Sequence, residues 1–304
     1  MHIDGLLVLA GLFVGFTVGL TGMGGGALMT PILVLLFKVQ PLAAVSSDLV
    51  AAVVMKPIGG TVHMRRGTVN LGMVKWLALG SVPSGFAGVL ILHALGNGQA
   101  LQDRIKLILG IALLLAAGSI ALKAVLAARR REQPSPVTAR EVELRPLPTF
   151  LIGVAGGLIV GMTSVGSGSL MIVLLLWLYP RLRASDLVGT DLVQAIPLVA
   201  SAALGHLIFG EFQLDLTTSL LLGAVPGVYV GARLSAKAPD GVIRPALLFV
   251  LLASALKLLG MDTALLAWTM GAIAVVGLAA AGRRLTHRRK AAAITAPERA
   301  PATR

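Results

Sequence analysis

The sequence predicts an all-α polytopic membrane protein built as two inverted repeats, each opening on an apolar segment that glycines break into half-helices. Three observations carry this. Of the 304 residues, 56% are hydrophobic and 13% charged, with a mean hydropathy of +0.89, where a soluble domain carries nearer about 25% charged residues. Apolar windows long enough to cross a bilayer recur along most of the chain, and the alternation expected of a β-barrel is absent. Finally, the runs Thr21-Gly22-Met23-Gly24-Gly25-Gly26 and Thr163-Ser164-Val165-Gly166-Ser167-Gly168-Ser169 interrupt two of those windows at matching places.

Taken in order, the apolar segments fall at 4–37, 42–62, 71–95, 104–128, 147–179, 186–209, 216–235, 242–260 and 263–281. Met1-His2-Ile3-Asp4 lacks a basic leader, so the first segment is expected to remain uncleaved. Residues 129–146, rich in Arg, Glu and Pro, form the one clear boundary and read as a solvated linker. The expected organisation is a membrane repeat over 1–128, the linker at 129–146, and a second repeat over 147–260. An extra helix at 261–282 and a basic disordered tail at 283–304 follow.

The two sides of the linker match residue by residue. At a shift of 142, Gly15, Val18, Gly19, Thr21, Gly24, Gly26, Leu28 and Met29 meet Gly157, Val160, Gly161, Thr163, Gly166, Gly168, Leu170 and Met171. One inserted residue moves the shift to 143. Asp48, His63, Gly67, Gly80, Pro83 and Gly88 then meet Asp191, His206, Gly210, Gly223, Pro226 and Gly231. Chance matches in Gly-rich apolar sequence do not readily align Asp, His and Pro in order.

Charge decides the expected topology. The net charge of +13 invites a nucleic-acid partner, but the basic residues cluster in loops and tail, as the positive-inside rule places them. If each broken segment enters and returns on one side, the linker, Arg65, Arg66, Arg181, Arg183, Lys237, Arg244 and the tail all share that side. Only Lys38, Arg104, Lys106 and Lys257 then lie opposite. That arrangement inverts the repeats, and it agrees with a basic loop after His63 and an acidic one, Glu211 to Asp215, after His206.

The breaks are where chemistry is expected. A glycine costs a helix roughly 1 kcal/mol relative to Ala, and a broken helix in lipid frees backbone groups that need cover. Paired breaks in two halves of one chain point to a transporter binding site. The half-helices 27–37 and 169–177 would aim their N-termini, each with about half a positive charge, at the midplane. Candidate anion-binding residues are Thr21, Gly22, Gly24, Gly25 and Gly26 in the first break. Thr163, Ser164, Gly166, Ser167 and Gly168 are their counterparts in the second, with Ser169 as a further donor. Close packing by small residues is the competing reading.

Lys56 lies deep in the second segment, where a cation costs roughly 2.5–3.5 kcal/mol to insert and needs a partner. A bound anion or one of the aspartates would serve. Asp48 on the same helix is about 12 Å of rise away, too far for direct pairing. Asp48 and Asp191 stand beside the hydroxyls of Ser46, Ser47 and Thr190, and Ser47 and Thr190 join the candidate binding residues. Either aspartate could carry a coupling proton or cap the break in its own half. His63 and His206 sit near segment ends, as proton-coupling candidates or as ordinary helix-end residues.

Enzyme readings find little footing. The five histidines show no metal-ligand spacing, cysteine is absent, and neither a Walker A loop nor a dinucleotide fingerprint occurs. No metal and no cofactor is expected, and no ATP-hydrolysing module is encoded.

The residues resemble the sulfite exporter TauE/SafE family of membrane permeases over about 5–260. The resemblance rests on the glycine-rich break followed by Pro31, on Ser46-Ser47-Asp48-Leu49, on Lys56, and on His63 followed by Gly67. In the second half it rests on Gly189-Thr190-Asp191-Leu192, Ala195-Ile196-Pro197-Leu198, Gly205-His206, Gly210 and Gly223-Ala224-Val225-Pro226-Gly227. It implies a secondary transporter of sulfur-containing or organic anions such as sulfite or sulfonates, in the inner membrane as a multi-pass protein. With the breaks and the absent ATPase, the expectation is a proton-coupled permease working by alternating access. Its partners would be a small anion and the bilayer, with no nucleic acid; the sequence leaves the oligomeric state open. An anion channel or passive pore is the alternative, and a membrane-embedded enzyme a third reading.

Overall fold

Each apolar segment becomes helix where the chain is described, at residues 3–21, 25–96, 98–129, 142–182, 184–234 and 240–275 of a computed structural model. The helices are α1 (Gly5–Thr21), α2 (Gly26–Leu35), α3 (Pro41–Arg65), α4 (Leu71–Ala94) and α5 (Gln99–Arg129), then α6 (Pro146–Thr163), α7 (Leu170–Leu178), α8 (Ala184–Phe209), α9 (Leu214–Leu234) and α10 (Asp240–Leu258). Residues 1–260 form one unit; α11 (Thr263–Val275) belongs to a second, residues 261–304. Among the described residues six helices, α3, α4, α5, α6, α8 and α9, are long and apolar enough to cross a membrane. Large apolar side chains such as Leu6, Phe13, Leu151 and Trp177 face outward, as a lipid solvent permits.

Both broken segments divide as expected, into α1 and α2 and into α6 and α7. The second halves begin at Gly26 and Leu170, within one residue of the expected starts. Ser164 ends α6 in the left-handed region, at φ 58°, a conformation that costs a residue with a Cβ roughly 1–2 kcal/mol. Gly166 at φ 125° and Gly168 at φ 87° carry the chain on into α7. Gly22 and Gly24, the linker core 130–141, Arg183, Lys237 and the basic tail lie outside the described residues.

The helices of the two halves interlock. Gly11, Gly15 and Gly19 of α1 press on the backbone at Leu220, Ala224 and Val228 of α9. The rising register makes α1 and α9 parallel. Gly153, Gly157 and Gly161 of α6 press in the same way on Leu77, Ser81 and Gly85 of α4, again in parallel. Glycine every fourth residue lets backbones approach where lipid supplies no hydrophobic drive between helices. The pairing α1 with α9 is what the pairing α6 with α4 becomes when the halves are exchanged. Close packing by small residues thus runs along the helices that flank the breaks.

Direction follows from these contacts. α3 and α8 are antiparallel, with Ser46 beside His206 and Gly189 beside His63 and Thr68. The start of α3, the end of α8 and the starts of α1 and α9 therefore share one end of the bundle. The starts of α4, α6 and α8 share the other. Tyr179, just after α7, accepts from the Arg145 backbone N–H at 2.9 Å and pairs with Thr149 at 2.6 Å. The second broken segment thus enters and leaves at the same end. α2 joins α3 through 36–40, so the first broken segment likewise returns to the end where α1 began.

The largest apolar core, built around Val14, Met29, Leu33, Leu113 and Leu220, draws on α1, α2, α3, α5, α9 and α10. Two smaller ones lie along α3 and α8 and around α7. The breaks lie where these cores meet.

Candidate functional site

The two breaks touch. A side chain on Gly26, the first residue of α2, would overlap the backbone of Ser164, the residue that ends α6. Hydrogen alone fits between them, so the N-terminus of one half-helix is pressed against the turn of the other break. Around this contact the chain is closed off: Thr30, Ser47 and Asp48 are 0% exposed, Ser164 7%, and Ser167 and Ser169 6% each.

Lys56 reaches this junction from α3. Only 7% exposed, it donates from Nζ to Ser167 Oγ at 2.6 Å. The contact links the halves through a hydroxyl, not through a carboxylate. Lys106 and Asp103 form a peripheral ion pair. Asp191 and Asp48 both lie within electrostatic range of Lys56. One of three ammonium protons is thereby placed, and a neutral hydroxyl does not balance a buried charge.

The two aspartates are deployed differently. Asp191 caps the break in its own half: Oδ2 accepts from the Gly168 backbone N–H at 2.6 Å and Oδ1 from Gln194 Nε2 at 3.0 Å. Gln194 is held in turn by Ser81, which donates to its Oε1 at 3.0 Å. Asp48 Oδ2 accepts from Thr30 Oγ1 at 2.6 Å. Its Oδ1 is buried without a hydrogen-bond partner, as are Ser47 Oγ and Ser169 Oγ. Ser164 stands near the Asp48 carboxylate, outside hydrogen-bonding geometry for Oδ1. Buried polar groups are nearly always satisfied; these three atoms, two on α3 and one at the second break, are not.

The remaining candidates separate. Thr163 Oγ1 donates to the Ile159 carbonyl at 2.6 Å and accepts from the Val165 N–H at 3.1 Å, stitching the turn itself. Thr21 Oγ1 donates to the Thr17 carbonyl at 2.8 Å. Thr190 turns away from the junction and accepts from the Asn70 N–H at 3.0 Å, in the loop after α3. His63 is a half-buried helix-end residue, its Nδ1 2.9 Å from Thr68 Oγ1. His206 also lies in the last turn of its helix, α8, but is enclosed. It is 0% exposed, with Nε2 2.9 Å from the Gly161 carbonyl and Nδ1 2.9 Å from Ser46 Oγ. The reason is the antiparallel packing of α3 on α8, which covers the end of α8 with the start of α3.

Sequence reasoning passed over Thr30 and Gln194. Gln194 could have been found, because it lies three residues after Asp191 on the same helix face. Thr30 had no such signal; it lies 18 residues from Asp48 and meets it only through the fold of α2 onto α3.

A family model described as "Sulfite exporter TauE/SafE" matches residues 7–258. Over 254 residues, 83% of this chain and 98% of the relative, the chain is 40% identical to "Probable membrane transporter protein YjnA" of Bacillus subtilis (strain 168). It is 26% identical over 253 residues, 80% of this chain and 94% of the relative, to "Probable membrane transporter protein YdhB" of the same organism. No solved structure matches. A multi-pass helical chain, matched by that model along nearly all of its length and by a relative at this identity, belongs to the sulfite exporter TauE/SafE family of membrane proteins.

Proposed function

We propose that the protein is a secondary transporter of small sulfur-containing or organic anions, sulfite and sulfonates foremost, working by alternating access and coupled to protons. One observation carries the reading: the breaks of the two halves meet at Gly26 and Ser164, and the buried Lys56 of the first half donates to Ser167 of the second break. An anion placed there would take charge from Lys56, hydroxyl donors from Ser47, Ser164, Ser167 and Ser169, and the N-terminal fields of α2 and α7. Glycines at 25 and 26 and at 166 and 168 let the backbone come close. In this reading Thr163 shapes the turn, and Thr190 and His63 take no direct part.

The halves act as inverted repeats. The end bearing Arg65, Arg66 and Arg181 is cytoplasmic by the positive-inside rule, and the end bearing Glu211 and Asp215 faces outward. The chain would lie in the inner membrane and carry no catalytic chemistry. Alternating access would expose the junction to either end by moving one interlocked helix set against the other.

Counterflow in proteoliposomes tests the reading. Labelled sulfite, sulfate, methanesulfonate and small carboxylates are offered against an internal pool of each. Trans-stimulated uptake of sulfite or a sulfonate, and accumulation above equilibrium under an imposed pH gradient, is the expected result. Dissipation without counterflow would assign a passive pore instead. For orientation, single cysteines replacing Thr68 and Glu211 should react with an impermeant thiol reagent from opposite faces.

A further inference from the structure

We infer that the coupling proton is carried by Asp48 alone, on Oδ1, and that Asp191 is a fixed ionised cap that never releases its place. The inference rests on the transporter reading above and assigns unequal roles to two residues that the repeat makes equivalent. Asp191 is saturated: a backbone N–H and a side-chain amide hold its two oxygens, and Gln194 is itself anchored on α4. Two donors to an ionised carboxylate favour the ionised form, and taking a proton would break the bond that closes the second break. Asp48 is fully buried and half satisfied, with Oδ1 left bare. A proton on Oδ1 removes the buried charge and turns that orphan acceptor into a donor.

Charge counting supplies the coupling rule. The charged groups turned to this junction are Lys56 and Asp48 from α3 and Asp191 from α8. His206, also on α8, faces Ser46, while α1, α2 and α7 carry no titratable side chain. Lys56 and Asp191 balance one another. An ionised Asp48 then leaves the junction with one negative charge and repels an entering anion. With Asp48 protonated the junction is neutral, and a monoanion restores the same single negative charge. Anion and proton therefore enter together or not at all, and one turnover moves no net charge. Loading forms the O–H bond at Asp48 Oδ1 from a solvent proton at one face, and release breaks it toward the other.

The probe is methanesulfonate, whose charge is constant across neutral pH, so that any proton belongs to the protein. Wild-type proteoliposomes should accumulate it when the proton gradient runs inward, and an imposed membrane potential at zero pH gradient should leave uptake within about twofold. Asp48→Asn should exchange the probe at a pH-independent rate and lose gradient-driven accumulation by at least about tenfold. Asp191→Asn should lose exchange and accumulation together. In detergent, the melting temperature of the wild type should fall relative to that of Asp48→Asn as pH rises, because Asn carries no charge to bury. Gradient-driven accumulation by Asp48→Asn would overturn the assignment, and so would an uncoupled phenotype in Asp191→Asn in its place. Should the wild type exchange the probe without responding to either gradient, proton coupling itself fails, and this inference with it. Should the wild type exchange no probe, the melting series decides alone: parallel pH profiles for wild type and Asp48→Asn would overturn the assignment.

Discussion

Asp191 and Asp48 stand at the same place in the two repeats, yet one closes its own break and the other leaves an oxygen bare. The difference traces to their neighbours. Gln194, which holds Asp191, is matched in the first half by Ala51; Thr30, which holds Asp48, is matched in the second by Ile172; and Lys56 is matched by Val199. The repeat builds a scaffold in duplicate: two breaks, two glycine-lined helix pairs and two carboxylates beside them. The polar partners of the two carboxylates then differ between the halves. A symmetric cavity would place like groups in like fields, whereas transport of a proton with an anion needs one site for each.

The largest effect should come from the point where the breaks meet. Gly26→Ala puts a methyl group into the Ser164 backbone, which has no room to yield, so both the fold of the junction and transport should be lost. Gly25→Ala is the control one residue away. Its added carbon meets Met55 Cε at 3.2 Å, the end of a flexible side chain that can shift. Expression as a monodisperse detergent complex, followed by counterflow, should show little protein for Gly26→Ala and near-normal protein for Gly25→Ala. Equal behaviour of the two would mean that the breaks do not touch in the membrane.

Next in size is the cation. If Lys56 contacts the anion, Lys56→Gln should weaken substrate binding by about 100-fold, near 2.7 kcal/mol by the affinity relation. Lys56→Arg should fall between, since the guanidinium keeps charge but not shape. Ser167→Ala, which removes the present partner of Nζ at 2.6 Å, should cost far less and frees the ammonium toward the ligand. A double variant no worse than Lys56→Gln alone would show that the two act as one unit. Lys56→Gln combined with Asp48→Asn or Asp191→Asn recovering stability and transport would make Lys56 a structural charge instead.

A smaller effect separates the carboxylates by stability alone. Asp191→Asn leaves the Gly168 N–H facing a neutral acceptor or an amide, and hydrogen bonds to charged groups are worth about 1.5–3 kcal/mol. Its melting temperature should drop, and Gln194→Ala should reproduce part of the drop because it removes the other donor to the same carboxylate. Thr30→Val should behave likewise toward Asp48. An unchanged melting temperature for Asp191→Asn would show that the second break closes without its cap.

Much of this was legible in the residues. Glycine runs inside apolar windows located both breaks to within a residue of the helix starts, because a helix interior tolerates such runs badly whatever the tertiary context. The matched Asp, His and Pro residues exposed the repeat. Two things were not legible. The interlocking of α1 with α9 and of α4 with α6 depends on which helices pair, and glycine every fourth residue announces a close approach without naming its partner. The partners of Lys56 and Asp48 also come from other segments, Ser167 from the second break and Thr30 from α2. Charge and burial predicted that Lys56 needs a partner, but only the fold makes that partner a hydroxyl. His206 illustrates the same limit, since a position near a helix end says nothing about which helix lies over it.

The smallest contrast is between the histidines, and it tests whether matched positions share a role. His63 is half-buried in the last turn of α3, with Nδ1 2.9 Å from Thr68 Oγ1 in the loop that follows. Replacing it by Leu should change stability by no more than about 0.5 kcal/mol, the usual range for such sites. His206 is enclosed, and with Nε2 beside the Gly161 carbonyl that nitrogen must carry the hydrogen. Nδ1 then meets a Ser46 hydroxyl that also lies 2.8 Å from the Leu42 carbonyl. His206→Leu strands the Gly161 carbonyl, at a cost of about 1–3 kcal/mol for a buried unsatisfied group. His206→Gln, which keeps a donor of similar reach, should recover part of that. Neither variant should abolish the response of uptake to a pH gradient, since the inferred proton site is Asp48. Loss of that response in His206→Gln, with melting temperature preserved, would move the coupling proton from the junction to the contact between α3, α6 and α8.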